Sequence, residues 1–356
     1  MAPPAGGRTL DRRRVGLATL GLGVSALAVW LCVRSVDVSE VAGLLSQANR
    51  GPILVFLLVL AMQTLVRAAR WSFLLPRVES RRISVRRTLP PMLVGYLGNA
   101  VLPARLGEPV RALILARREG LPATATFGSV VLERVIDTAT VALLVLPAAW
   151  VVGAPSWIVQ VAAIGALVAV ALLAVLSFVG LGGVVRVVDR LASRVRVGAA
   201  RSFVAGVAGH FREFANGAGA SNRRPVIVLA AFLSLVAWGL DAMLVWLAAL
   251  SIGVPLDPAQ AILIAGVGVF ATMIPAAPGY IGTYELAATA TAVALGIDPE
   301  SALAIAVLTH ALVLLPMAGA GAVALIAIQR EGLRDPAAVS AASVNGEPLS
   351  SVRTVR

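Results

Sequence analysis

Two short polar segments interrupt long apolar stretches of the sequence, and the first of them is basic. Residues 88–116 are mostly apolar, but residues 99–109 read NAVLPARLGEP and Arg111 follows. The side chains that could bind or balance an anion are Asn99, Arg105, Glu108 and Arg111. Pro103 and Gly107 lie among them and are predicted to form a hinge, because proline and glycine end helices. Arginine side chains beside a helix N-terminus bind phosphate, which is the chemistry predicted here.

The second polar segment is aromatic and acidic. Residues 275–285 read PAAPGYIGTYE within the apolar stretch 261–296. Its candidate binding residues are Tyr280, Tyr284 and Glu285, and its predicted hinge residues are Pro275, Pro278, Gly279 and Gly282. The backbone amides of the two glycines are further hydrogen-bond donors. A basic segment that faces an acidic, aromatic one would suit a zwitterionic or phosphate-bearing headgroup.

Three charged residues lie together inside a third apolar stretch. Glu133 and Asp137 share one face of a helix, and Arg134 precedes Asp137 by three residues. A charge at the centre of a membrane helix costs roughly 3 kcal/mol, so such residues need partners or a function. We predict that they contribute to substrate binding and pair with the arginines of the first polar segment. The alternative is a set of buried ion pairs that fixes the helix register.

Three further polar side chains in apolar stretches have two interpretations each. His310 is either a proton-sensitive group of the binding site or a hydrogen-bond donor between packed helices. Arg67 and Arg70 are either charges within the membrane or long side chains that reach the headgroups at its surface. The sequence favours the second interpretation for these two arginines.

The composition indicates the environment in which these residues must be positioned. Hydrophobic residues make up 59% of the chain, charged residues make up 13%, and the mean hydropathy is +0.90. One soluble core could not bury this much apolar surface, whereas lipid can solvate the outsides of helices. Cys32 is the one cysteine and there are two histidines, so neither a disulfide nor a metal site is expected, and no cofactor is predicted.

The basic residues indicate contact with lipid rather than with nucleic acid. The net charge is +12, and every one of the 30 basic residues is arginine. They do not form one basic domain. They cluster between the apolar runs, where they would meet anionic lipid headgroups. A codon bias towards arginine is the alternative explanation for the absence of lysine.

Apolar runs of about 20 residues, the length needed to span the hydrocarbon core, occur six times. They cover residues 15–33, 52–75, 126–152, 157–182, 226–250 and 301–328. The stretches 88–116 and 261–296 are predicted to be broken hairpins that enter the membrane and return, with interfacial loops as the alternative. The fold class is therefore all-α integral membrane, with about six spanning helices and two re-entrant hairpins.

The distribution of arginine predicts the topology. The basic N-terminus at residues 1–14, an amphipathic linker at residues 184–224 and the tail at residues 331–356 fall on one side of the transmembrane domain, residues 15–330. The positive-inside rule makes this side cytoplasmic and places both termini there. The tail is predicted to be disordered from its composition.

The predicted elements also occur in the same order twice. Residues 15–152 and 157–328 each give two spans, a broken hairpin and a span. Pro103 and Gly107 are four residues apart, as are Pro275 and Gly279. An odd number of spans in each half would invert the second half relative to the first. Inverted repeats with broken helices near the midplane are typical of transporters.

The two polar segments, together with ERVID at residues 133–137 and RAARW at residues 67–71, resemble the flippase-like family. This is the transmembrane region of lysylphosphatidylglycerol synthases of the multiple peptide resistance factor type. The resemblance covers residues 15–330 and implies a multi-pass protein of the bacterial inner (plasma) membrane that moves a lipid between leaflets. The full-length synthases continue into a soluble aminoacyl transferase domain, whereas a short tail follows here. We therefore expect a stand-alone member that is not an enzyme.

The leading functional hypothesis is translocation of a phospholipid or lipid-linked intermediate without ATP. Arg105 and Arg111 would hold the lipid phosphate, while the carboxylates balance charge or carry protons: Glu108, Glu133, Asp137 and Glu285. The expected partners are membrane phospholipids and either a second copy of the chain or an enzyme that makes the lipid. The alternatives are a membrane-embedded enzyme for a lipid-linked substrate and a non-catalytic subunit that binds a partner through the basic linker.

Overall fold

A computed structural model describes residues 12–34, 36–76, 82–102, 105–174, 224–273 and 276–333. Within these ranges the chain forms helices and no strand, which confirms the all-α class. Several predictions concern residues outside the described ranges, namely most of the basic N-terminus, most of the linker and nearly all of the tail. The predicted hinge residues Pro103 and Pro275 also lie outside them.

The helices follow one another with short connections. In chain order they are α1 (Arg12–Val33), α2 (Val38–Ser46), α3 (Arg50–Leu74), α4 (Val85–Val101), α5 (Gly107–Glu119), α6 (Ala123–Val151), α7 (Ser156–Ala174), α8 (Arg224–Ser251), α9 (Pro258–Ala271), α10 (Thr283–Ala294) and α11 (Pro299–Leu333). A 3₁₀ turn at Pro278–Tyr280 lies between α9 and α10.

Three of these helices are long and apolar enough to cross a membrane over Arg50–Leu74, Pro225–Ser251 and Pro299–Glu331. They correspond to the predicted second, fifth and sixth spans. α1, α6 and α7 coincide with the other three predicted spans, although the last eight residues of the fourth fall outside the described chain. The described chain is thus helical where spans were expected. That six of its helices cross the membrane stays a prediction.

Both stretches expected to be broken hairpins form pairs of packed helices. α4 and α5 make the first hairpin, and α9 and α10 make the second. The four arms have 17, 13, 14 and 12 residues, each shorter than the roughly 20 that a full crossing requires. Pro90 and Pro91 lie within α4 and do not end it. The chain turns instead between Val101 and Gly107.

Small residues hold the arms of the first hairpin close together. A Cβ atom on Gly98 would lie 2.7 Å from the Cα atom of Gly107, so only glycine allows this approach. The Asn99 side-chain oxygen Oδ1 accepts a hydrogen bond of 3.0 Å from the Gly107 backbone amide. Two predicted site residues therefore shape the hairpin. Gly107 allows the backbones of the two arms to touch, and Asn99 holds the turn through its hydrogen bond.

The turn of the second hairpin depends on two glycines in the left-handed region. Gly279 has φ 72° and Gly282 has φ 91°, a region that favours glycine, and their role as hinges stays a prediction. The Gly282 amide donates to the Glu285 carboxylate at 2.7 Å. Ser25 of α1 packs beneath this turn, and its hydroxyl accepts a hydrogen bond of 2.9 Å from the Ala277 amide.

The helices of the two predicted halves pack reciprocally. α3 lies along α8, and their apolar contact includes Phe56 and Leu244. α4 lies against α11, where Gly321 approaches the Leu93 carbonyl, and α9 lies against α6, where Gly266 meets Val145. The first arm of each hairpin thus packs on the last predicted span of the other half. The inverted repeat itself stays a prediction.

Candidate functional site

Arg70 of α3 is buried against α6, with 0% of its side chain exposed. Its guanidinium group contacts both oxygens of Asp137 and donates to Glu133 at 2.8 Å. It also donates to the Ser234 hydroxyl on α8 at 2.5 Å. The interpretation that this arginine reaches the membrane surface is wrong, because two carboxylates within the protein compensate its charge.

Glu133 extends the buried cluster to the first hairpin. Its side chain is 2% exposed and accepts hydrogen bonds from Arg111 at 3.0 Å and from Arg134 at 2.9 Å, in addition to Arg70. The Arg111 guanidinium lies 4.6 Å from the centre of the Trp71 ring. Of the predicted pairs with arginines of the first hairpin, the structure contains that of Glu133 with Arg111. Arg111, expected to hold phosphate, instead has a carboxylate partner and is buried.

Asp137 joins the same cluster to the second half of the chain. The Trp238 indole on α8 donates to its carboxylate at 3.1 Å, and Arg134 lies 3.1 Å from its other oxygen. The cluster therefore connects α3, α5, α6 and α8. These contacts match the alternative interpretation of the sequence, in which buried ion pairs fix the helix register.

A second ion pair links α3 to α8. Arg67 and Asp241 approach to 2.5 Å, and Gln63 donates to the same carboxylate at 2.5 Å. The Arg67 guanidinium also lies 5.4 Å from the centre of the Trp238 ring. Asp241, Gln63 and Trp238 were not among the predicted binding residues. The available signal was the position of Asp241 inside a predicted span.

The two hairpin turns meet through Arg105. Its Nε donates to the Thr272 carbonyl at 3.1 Å, and its Nη2 contacts the Thr272 hydroxyl. The guanidinium lies 5.3 Å from the centre of the Tyr280 ring. The expectation that a basic segment faces an aromatic one is thus met in the geometry. Thr272 is a contact that the sequence did not identify.

Arg105 and Tyr280 have unusual backbone conformations as well. Among the described residues, these are the non-glycine residues with positive φ, at 55° and 61°. Such residues are uncommon, and strained backbone concentrates at functional sites. The strain here occurs where the two turns touch.

His310 of α11 contacts the second arm of the second hairpin. Its Nδ1 lies 2.6 Å from the Glu285 carboxylate, and its ring centre lies 4.7 Å from that of Tyr284. Glu285 therefore connects His310 to the Gly282 turn of the second hairpin. Either predicted role of His310, proton-sensitive or packing, is compatible with this contact.

These groups surround a cavity of about 230 Å³ between the hairpin turns. Nine of the eleven predicted binding residues line it: Asn99, Arg105, Glu108, Arg111, Glu133, Arg134, Tyr280, Tyr284 and His310. Asp137 and Glu285 lie behind the wall and contact lining residues. The nine predicted residues that line the cavity come from five helices and two turns, and side chains of α3, α8 and α9 complete the lining.

Four arginines line the cavity, at positions 67, 105, 111 and 134. In the arginine network, five arginines (67, 70, 105, 111 and 134) face four carboxylates (108, 133, 137 and 241), which leaves one positive charge. The Glu285–His310 pair adds one negative charge when the histidine is neutral and none when it is protonated. Within the described ranges, no group of three or more acidic, histidine or cysteine side chains is placed to hold a metal ion. The lining suits an anion.

Comparison with known proteins agrees with this architecture. Residues 18–341 match the family described as the lysylphosphatidylglycerol synthase TM region. The chain belongs to this family. It is a multi-pass, all-α membrane protein, as the sequence predicted.

Two curated proteins are similar to this chain over much of its length. The chain is 30% identical over 305 residues to glycosyltransferase AglD of Haloferax volcanii, which covers 78% of this chain and 48% of that protein. It is 27% identical over 241 residues to a UPF0104 membrane protein of Methanothermobacter thermautotrophicus, which covers 61% of this chain and 66% of that protein. The chain therefore spans about half the length of the first relative and less than two thirds of the second.

Proposed function

We propose that the protein moves a lipid between the leaflets of the bacterial plasma membrane without ATP. The lipid carries an anionic or zwitterionic headgroup and is a phospholipid or a lipid-linked intermediate. The observation that carries this proposal is the arginine-lined cavity where the two hairpin turns meet, among helices apolar enough to cross a bilayer.

The cost of charges in a membrane supports a functional role for the cavity. Charged residues at bilayer depth are expensive, and those that face a water-filled cavity commonly mark a substrate path. Arg70 and Glu133 are completely neutralised and form a scaffold. Arg105 and Arg134, with 22% and 29% of their side chains exposed, remain accessible to a headgroup. In this proposal Arg134 takes the phosphate-binding role that the sequence assigned to Arg111.

The orientation and partners form part of the same proposal. The arginine-rich connections place both termini in the cytoplasm by the positive-inside rule. Membrane phospholipids are the expected ligands. A second copy of the chain, or the enzyme that makes the lipid, is the expected protein partner.

A membrane-embedded enzyme for a lipid-linked substrate is the second candidate. It is favoured by the similarity to AglD, a glycosyltransferase, and by the Glu285–His310 pair at the cavity wall. A carboxylate beside a histidine is a common general acid–base arrangement. Incubation of the purified protein with a labelled lipid-linked sugar separates the candidates, because an enzyme converts the lipid whereas a translocator leaves it unchanged.

The leading proposal is tested by leaflet exchange of labelled phospholipids in proteoliposomes without ATP. We expect exchange that requires the protein and falls about tenfold or more in Arg105→Gln and Arg134→Gln, since a hydrogen bond to a charged group contributes about 1.5–3 kcal/mol. Arg117→Gln, an exposed arginine in the last turn of α5, is the matched control and should exchange lipid like the wild type. Wild-type rates in both cavity variants, with folding verified by thermal unfolding, would contradict the proposal.

A further inference from the structure

Glu108 is held differently from the other carboxylates of the arginine network. Asp241 accepts hydrogen bonds of 2.5 Å from Arg67 and Gln63. Glu133 accepts three hydrogen bonds between 2.8 and 3.0 Å. Glu108, in contrast, lies 3.5 Å from Arg105 and 3.7 Å from Arg134, well beyond the 2.7–2.9 Å typical of a charge-assisted hydrogen bond. It is the loosely held carboxylate of the network.

The position of Glu108 places it between the two accessible guanidinium groups. The residue lies in the first turn of α5, where the helix dipole favours a negative charge. Its side chain is 18% exposed and lines the cavity together with Arg105 and Arg134. A headgroup that enters the cavity therefore meets these arginines where Glu108 already lies.

The first backbone amides of α5 already have hydrogen-bond partners within the protein. The Gly107 amide donates to the Asn99 side chain, and the Glu108 amide donates to the Arg105 carbonyl at 3.1 Å. Pro109 has no amide hydrogen. An anion at the start of α5 must consequently bind through the guanidinium groups, and these are the groups that Glu108 neutralises.

We propose that Glu108 is an exchangeable counter-ion, which occupies the phosphate position between Arg105 and Arg134 and is displaced when a phosphate group binds. A phosphate oxygen pair forms bidentate contacts with a guanidinium group, so it can replace a weakly held carboxylate. When the phosphate leaves, the tethered carboxylate returns and again neutralises the arginines. This competition keeps binding weak enough for release, which transport through a binding site requires.

The proposed ligand class is a phosphate ester. The inference rests on the proposed function only in the statement that this phosphate belongs to a lipid. Removal of the competing charge should tighten phosphate binding and slow lipid release. We therefore expect Glu108→Gln to lower the Kd about tenfold, the equivalent of one hydrogen bond to a charged group. Glu108→Ala should act in the same direction, while Glu108→Asp, which keeps the charge, should bind like the wild type.

The test is calorimetric titration of the purified protein in neutral detergent with dihexanoyl phosphatidylglycerol and, separately, with inorganic phosphate. Glu331→Gln is the matched control, because Glu331 also pairs with an arginine, at 2.6 Å from Arg118, but lies outside the cavity. Its affinity should equal that of the wild type. Arg134→Gln should weaken binding, alone and combined with Glu108→Gln.

The outcomes separate this inference from the proposed function. Tighter binding of both probes supports exchange with a phosphate group of either source, and tighter binding of the lipid alone supports exchange with a lipid phosphate. Unchanged or weaker binding of both probes by the folded Glu108→Gln and Glu108→Ala proteins would overturn the inference. Failure of wild-type leaflet exchange would contradict translocation and leave the binding result standing.

Discussion

At the scale of single residues, Arg70 shows why the ions of this protein must be considered as a set. Its charge is compensated by Glu133 and Asp137, and it is fully buried. A buried ion pair loses the hydration of both charges, so its net contribution to stability is small. Removal of one partner is costly because it leaves the other charge buried and uncompensated.

Arg70→Gln should therefore lower the free energy of unfolding by about 3–5 kcal/mol, measured by thermal or chemical unfolding in detergent. The double variant Arg70→Gln with Asp137→Asn should lose less unfolding free energy than the sum of the two single variants, because both members of the ion pair are removed together. Arg86→Gln changes an exposed arginine at the start of α4 and should have little effect. Additive losses for the double variant would contradict the ion-pair account.

Sequence reasoning identified the carboxylates of this cluster but not their main partner. Glu133 and Asp137 share a helix face at a spacing of four residues, so their proximity is a local property. Their contacts with Arg70 join residues that are 63 and 67 positions apart in the chain. Local spacing cannot distinguish an arginine that reaches the membrane surface from one that meets a distant helix. The same limit applies to Asp241 and Arg67.

At the scale of elements, the hairpins depend on close backbone contact at their turns. Gly98 of α4 and Gly107 of α5 touch, and Asn99 holds the turn between them. The breaks were predicted from the density of proline and glycine. The density could not show which glycines need positive φ, as Gly279 and Gly282 do, and which need space, as Gly107 does.

Gly98→Ala should separate the arms of the first hairpin, because its Cβ atom would lie 2.7 Å from the Gly107 backbone. We expect a loss of about 1–3 kcal/mol in the free energy of unfolding, typical of overpacking. Gly239→Ala is the matched control, since Gly239 lies inside α8 and a Cβ atom there would meet open space. Equal stability of the two variants, measured by thermal unfolding in detergent, would contradict tight packing at the turn.

At the scale of the whole molecule, the two predicted halves interlock. Each hairpin packs with its first arm on the last span of the other half, and both turns border one cavity. Composition and run length were sufficient to predict an all-α membrane protein and the positions of its helices. The contact of Arg105 with Thr272 and Tyr280 depends on how the halves assemble, which no local pattern encodes.

The central claim is that a lipid phosphate enters the cavity between the hairpin turns. The most direct measurement is photo-crosslinking of the reconstituted protein with a phosphatidylglycerol that carries a diazirine beside its phosphate, followed by peptide mapping. We predict crosslinks to cavity-lining side chains such as Tyr280 and Met317, reduced in Arg134→Gln. Crosslinks confined to exposed apolar side chains such as Leu143, and unaffected by that substitution, would contradict the claim.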